Sequence, residues 1–123
     1  MTLVEVLVAL VILSVGILSA MTLFTNSFKV SMDNRYQATA YNLAQEIIEE
    51  YKAKPSLIKD KTVDFQPPVS PITLDNKTYT PSISVTYDTV NSTRFGQVKV
   101  TVSWTSAIGV TKSVQRTTRI ALD

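Results

Sequence analysis

The chain has 123 residues, 45% of them apolar, with 12 Lys+Arg against 10 Asp+Glu, the size and balance of one folded domain. It holds no histidine and no cysteine. That excludes imidazole bases, Ser-His and Cys-His nucleophile pairs, thiolate metal sites and disulfides, so an enzyme is disfavoured and no catalytic, cofactor or metal site is expected.

From Leu3 to Phe24 there are 22 residues with one ionisable side chain, Glu5, and no proline. As a helix this run is about 33 Å long, enough to cross a hydrocarbon core of about 30 Å. Leu3, Val6, Leu7, Leu10, Val11, Leu13, Ile17, Leu18 and Phe24 are its expected membrane- or core-facing residues. Gly16, with Ser14 and Ser19 beside it, is the one weak spot for local melting.

Glu5 is the most informative residue. A carboxylate at the centre of a membrane helix costs about 2.5–3.5 kcal/mol, and no basic side chain precedes Lys29. The nearest cation is the α-amino group of Met1, either its own or that of a neighbouring copy. Pairing with a neighbour turns the cost into an assembly contact. A carboxylate that snorkels to the interface is the plain alternative.

No Gly or Pro interrupts residues 24–29, and apolar residues continue at steps of three and four through Phe28, Met32, Tyr36, Ala40, Leu43, Ile47 and Tyr51. Lys52 and Lys54 suit a helix C-terminus, and Pro55 ends it. The pattern predicts one helix over residues 1–54, apolar all round in its first half and amphipathic in its second. The five prolines fall between Pro55 and Pro81, so regular structure should be weak there, and residues 55–71 read as a connector with Val63-Asp64-Phe65 as an edge strand at most.

After Pro71 the period changes to two. Ile72-Thr73-Leu74 and Lys77-Thr78-Tyr79 flank Asp75-Asn76, a two-residue hairpin turn. Ile83, Val85 and Tyr87 alternate with polar residues, as do Val98, Val100, Val102 and Trp104. Residues 107–109 read as a turn and 110–122 as a return strand with Val114 and Ile120 inside. The expected fold is α+β: a long N-terminal helix on an antiparallel sheet of three to four strands, residues 72–123. Phe28, Met32, Tyr36, Leu43, Ile47 and Tyr51 should pack on Val98, Val100, Val102 and Trp104. The apolar half is residues 1–27, and the globular part is 28–123, with 28–54 as its share of the helix.

The opening segment Met1-Thr2-Leu3-Val4-Glu5-Val6-Leu7-Val8-Ala9-Leu10-Val11-Ile12-Leu13 resembles the mature N-terminus of type IV pilins and type II secretion pseudopilins. In that family a basic leader is removed by a prepilin peptidase, the new N-terminus is methylated, and the fifth residue is Glu. The resemblance implies N-methylation at Met1, processed-chain numbering and a Glu5 contact to the Met1 amine of a neighbouring subunit. It implies a plasma-membrane subunit that becomes part of an extracellular filament. Its expected partners are further copies of itself, other pilins, the membrane and an assembly platform. Adhesion, twitching motility, protein secretion and competence are the activities such filaments serve.

Only about the first 25 residues match at sequence level; the rest of the likeness is architectural. Met1 replaces the usual Phe, Ser14 and Thr22 stand where many pilins have Gly and Pro, and the C-terminal cysteine pair of many pilins is missing. The segment Val98-Lys99-Val100-Thr101-Val102-Ser103-Trp104-Thr105 more weakly resembles minor pilins of the V type and pseudopilins of the I type. A minor pilin or pseudopilin is therefore the alternative to a major subunit. A single-pass membrane-anchored binding domain that never polymerises is the alternative outside the family.

Other features have plainer readings. Asn76-Lys77-Thr78 and Asn91-Ser92-Thr93 fit the glycosylation sequon and lie in expected turns, although chance matches in a Thr-rich chain suffice. Arg94, Lys99, Lys112, Arg116 and Arg119 outnumber acids in the tail. Their spread over alternate strand positions favours a solvated face over DNA binding. Phe24, Phe28, Tyr36, Tyr41 and Tyr51 along the helix are spaced for packing rather than electron transfer.

Overall fold

A computed structural model describes residues 2–122. The chain divides into two compact units, Met1–Asn34 and Arg35–Asp123. Helix α1, Leu3–Ala53, contributes to both. It ends where Pro55 prevents continuation, and a four-residue helix follows, α2, Ser56–Lys59.

The second unit is α+β. Strands β1 (Ile72–Leu74), β2 (Lys77–Val90), β3 (Thr93–Thr105) and β4 (Thr111–Ala121) form an antiparallel meander in sequence order. Both tight turns have a left-handed residue pair: Asp75 and Asn76 at φ 49° and 61°, Asn91 and Ser92 at φ 50° and 67°. Two consecutive left-handed residues match the twist of the strands they join. The wider β3–β4 loop closes with the Ser106 N–H donating to Val110 O at 2.7 Å, and Gly109 takes φ 84°.

The alternation along the strands converts directly into burial. Val98, Val100 and Val102 of β3 are fully buried, with Trp104 beyond them, facing Tyr79, Ile83 and Val85 of β2 and Val114 and Ile120 of β4. Helix α1 covers this face with Ala40, Leu43, Ala44, Ile48 and Tyr51, while Tyr36 and Ile47 pack at its margin. Ala40 and Ala44, four residues apart and both 0% exposed, let the helix backbone lie close to the sheet. Each buried Val, Leu or Ile side chain contributes about 1.5–3 kcal/mol.

Three expectations need correction. Phe28 and Met32 are 68% and 44% exposed and belong to the first unit, so the helical cover begins at Tyr36. An apolar stripe looks the same in sequence whether or not it meets a sheet. Residues 55–71 are also not wholly irregular: α2 inserts Ile58, which is fully buried.

Pro81, grouped with the weakly structured prolines, lies inside β2 opposite Val102. Val85 exchanges both its backbone hydrogen bonds with Phe65, so odd-numbered residues of β2 turn their N–H groups away from β3. Pro81 shares that parity, and its missing N–H removes nothing from the β2–β3 ladder. The expected edge strand at residues 63–65 reduces to that one bridge, Phe65 to Val85.

Candidate functional site

Over residues 3–24 the first unit presents a mainly apolar surface. Leu3, Val6, Leu7, Leu10, Val11, Leu13, Ile17, Leu18 and Phe24 are all between 45% and 79% exposed. The surrounding helix includes a stretch of mean hydropathy 2.6 with none of it buried. Soluble monomers rarely expose apolar patches beyond a few hundred Å². By length and composition α1 contains a segment able to cross a membrane.

The hydroxyls within this surface are internally bonded. Ser14 Oγ donates to Leu10 O at 2.7 Å, Ser19 Oγ to Val15 O at 2.9 Å, and Thr22 Oγ1 to Leu18 O at 3.1 Å. Thr25 Oγ1 repeats the pattern onto Met21 O at 3.0 Å. A hydroxyl moved from water to an apolar environment without a partner costs roughly 2–7 kcal/mol. The backward bond to the carbonyl four residues earlier provides that partner. Sequence reasoning marked Ser14 and Ser19 only as neighbours of a weak Gly16. In the structure Gly16 is helical, and a Cβ there would meet nothing within 4 Å.

At its N-terminus the helix is closed by a reciprocal pair. The Thr2 N–H donates to Glu5 Oε2 at 3.0 Å, and the Glu5 N–H donates to Thr2 Oγ1 at 3.2 Å. This is a capping box, satisfying two of the backbone donors that a helix start leaves without intrahelical partners. The signal was present in Thr2-Leu3-Val4-Glu5 as a Thr followed three residues later by Glu. Reading Glu5 only as a charge in search of a cation missed it. Val6, Ala9, Leu10 and Leu13 line one shallow apolar face beside the carboxylate. Met1, expected to carry both the methylation and the partner amine, lies outside the described residues.

Three arginines of the second unit are committed to its own surface. Arg119 Nη2 pairs with Asp88 Oδ2 at 2.9 Å and its guanidinium lies 4.5 Å from the Phe95 ring centre. Arg116 Nη2 donates to Gln45 Oε1 at 3.0 Å. Arg94 Nη1 donates to Lys59 O at 3.1 Å while its guanidinium lies 4.7 Å from the Tyr87 ring centre. With the Tyr87 hydroxyl donating to Ile58 O at 2.7 Å, these contacts clasp α2 to the far end of the sheet. No group of three or more acidic residues suited to a metal ion occurs among the described residues.

The described residues thus present an apolar helical surface with a carboxylate at its head and a separate sheet domain. Comparison with protein-family models, curated proteins and solved structures gives no significant match.

Proposed function

We propose that the chain is a structural subunit of a filament of the type IV pilin kind, held in the plasma membrane by α1 before assembly. The supporting observation is the exposed apolar surface of residues 3–24, with the hydroxyls of Ser14, Ser19 and Thr22 bonded inward and its one carboxylate, Glu5, at the helix head. Such a surface suits lipid and other helices alike.

On this reading the helices exchange lipid contact for contact with copies of themselves. Lipid tails are as apolar as leucine, so close packing and polar contacts drive the exchange more than loss of water contact does. Glu5 supplies the polar contact, taking the N-terminal amine of a neighbour. A carboxylate offers about four acceptor sites, so the cap from Thr2 is compatible with a second donor. The pairing also defines the axial register between subunits, and the sheet domains form the outer layer.

The test is the variant Glu5→Ala, followed through membrane fractionation and shearing of the cell surface. The reading expects a folded, membrane-inserted chain that is missing from sheared filaments. Normal filaments from that variant would remove the role given to Glu5. Abundance separates the two family readings: a minor pilin or pseudopilin would be scarce in sheared material, a major subunit dominant.

A further inference from the structure

The two edges of the sheet differ in how their backbone is used. On the β2 side the outward N–H groups belong to odd-numbered residues. Lys77 and Tyr79 are in the ladder with β1, Pro81 has no N–H, and Val85 donates to Phe65 O at 3.0 Å. The Tyr87 N–H donates to Asp64 Oδ1 at 3.0 Å, and the Thr89 N–H to Asp88 Oδ1 at 2.8 Å. Among the described residues only Ile83 is left on that side.

Strand β4 forms the other edge, and it is open. The Ser106 N–H donates to Val110 O and the Leu122 N–H to Arg94 O, and the register keeps even residues of β4 opposite even residues of β3. Even residues of β4 therefore bond to β3, while Thr111, Ser113, Gln115, Thr117 and Arg119 turn their N–H and C=O groups outward. All five are exposed, and among the described residues no backbone partner meets them on that side. The 11 residues of β4 have neither the covering segment nor the proline that block β2.

Charge restricts what can add there. From Thr93 to Ala121 the chain has Arg94, Lys99, Lys112, Arg116 and Arg119 and no acidic residue. No register of β4 on a second β4 then yields an opposite-charge pair, and like charges directly opposite are destabilising. The β2 edge of a second copy is blocked. Arg119 holds Asp88, and Arg116 holds Gln45, itself bonded to Glu49. With five N–H donors, each guanidinium can take a further acceptor.

We infer that β4 is a docking edge for an extended acidic segment of another protein, which adds to the sheet beside it. The backbone of that segment pairs with the odd residues of β4. Its carboxylates lie beside Lys112 and Arg116 on one face and Arg119 on the other. Strand addition draws affinity from main-chain hydrogen bonds and selectivity from side chains at alternate positions. The inference concerns the second unit alone and stands whether or not α1 assembles into a filament.

The probe is a fluorescein-labelled peptide, Thr-Glu-Val-Thr-Glu-Thr-Val-Thr-Glu-Thr, whose glutamates fall opposite Arg119, Arg116 and Lys112 when it pairs antiparallel. Fluorescence anisotropy follows its binding to the full-length chain in zwitterionic detergent. Saturable binding is expected, and its loss when lysines replace the glutamates. Gln115→Pro removes one outward N–H and leaves the β3–β4 ladder intact. It should weaken binding about tenfold, with Trp104 emission unchanged. N-methylation of the peptide tests the same bonds without altering the protein. Blocking one alternate set of its amides should abolish binding, and blocking the other set should not.

No binding of the acidic peptide, or equal binding of the lysine peptide, overturns the inference. Equal affinities of the two methylated peptides mark attraction by charge without strand addition and overturn it too. Dimerisation of the wild-type chain that Gln115→Pro abolishes makes the occupant a second copy, which also overturns it. None of these outcomes bears on Glu5 or on filament assembly.

Discussion

Thr2 and Glu5 hold each other at the head of α1, N–H to Oε2 at 3.0 Å in one direction and N–H to Oγ1 at 3.2 Å in the other. Glu5 therefore has a role within one chain before any neighbour arrives, and its two roles are separable by substitution.

Glu5→Gln keeps a capping box, because Gln serves at that position as Glu does, but removes the charge. Glu5→Ala removes both. If the filament contact is an ion pair, Gln and Ala should be equally absent from sheared material. Amide exchange at the first turn should rise in Ala and stay near wild type in Gln. Thr2→Ala, which loses its side-chain acceptor, should fray the first turn by about 1 kcal/mol.

The boundary of the helical cover yields a contrast along one helix. Phe28→Ser should leave unfolding of the second unit within about 0.5 kcal/mol of wild type, as exposed positions do. Leu43→Ala, in the core, should cost about 2–5 kcal/mol. Urea unfolding followed by Trp104 emission reads both. A large effect of Phe28→Ser would restore it to the helix–sheet packing expected from its spacing.

Helix α2 provides a similar test. Ile58 is fully buried and lies so close to Gly96 that a Cβ there would sit 2.8 Å from Ile58 Cδ1. Ile58→Ala should cost about 2–5 kcal/mol, whereas Leu57→Ala, 45% exposed, should be close to neutral.

Alkaline pH should destabilise the second unit. Burial pushes the Tyr51, Tyr79 and Tyr87 hydroxyls above their usual 10.0. Glu50 adds to the shift at Tyr51. Thr39 opposes it at Tyr79 and Arg94 opposes it at Tyr87. Above pH 10 the unfolded chain loses these protons first, so the folded state binds more protons and stability falls as pH rises. Their contribution is fully present below that value. Chemical unfolding midpoints should therefore decline above pH 10, with Tyr79→Phe and Tyr87→Phe reducing the decline.

Much of the fold was legible because its signals are periodic. The valines of β3 announce a strand buried on one face, and Asp75-Asn76 announces a tight hairpin through residues that tolerate positive φ. What periodicity cannot show is where a partner surface stops. Phe28 and Met32 continue the stripe of Tyr36 and Leu43 with no change of pattern, yet they lie beyond the sheet's cover. Ile58 was hidden for a different reason, since a helix of four residues, Ser56–Lys59, carries too little pattern to be recognised. Pro81 misled because its cost depends on which edge its nitrogen faces, a property of register and not of composition. At the candidate site the apolar length and Glu5 were plain. The inward-bonded hydroxyls and the capping box required only spacings of four and three, which the search for a charge partner passed over.

The central claim, that this chain assembles from the membrane into a surface filament, is tested most directly by the mass of its N-terminal peptide in material sheared from the cells that make it. The account predicts that this chain dominates the sheared fraction and that its peptide begins at a methylated Met1. An unmodified Met1 found only in the membrane fraction would contradict it.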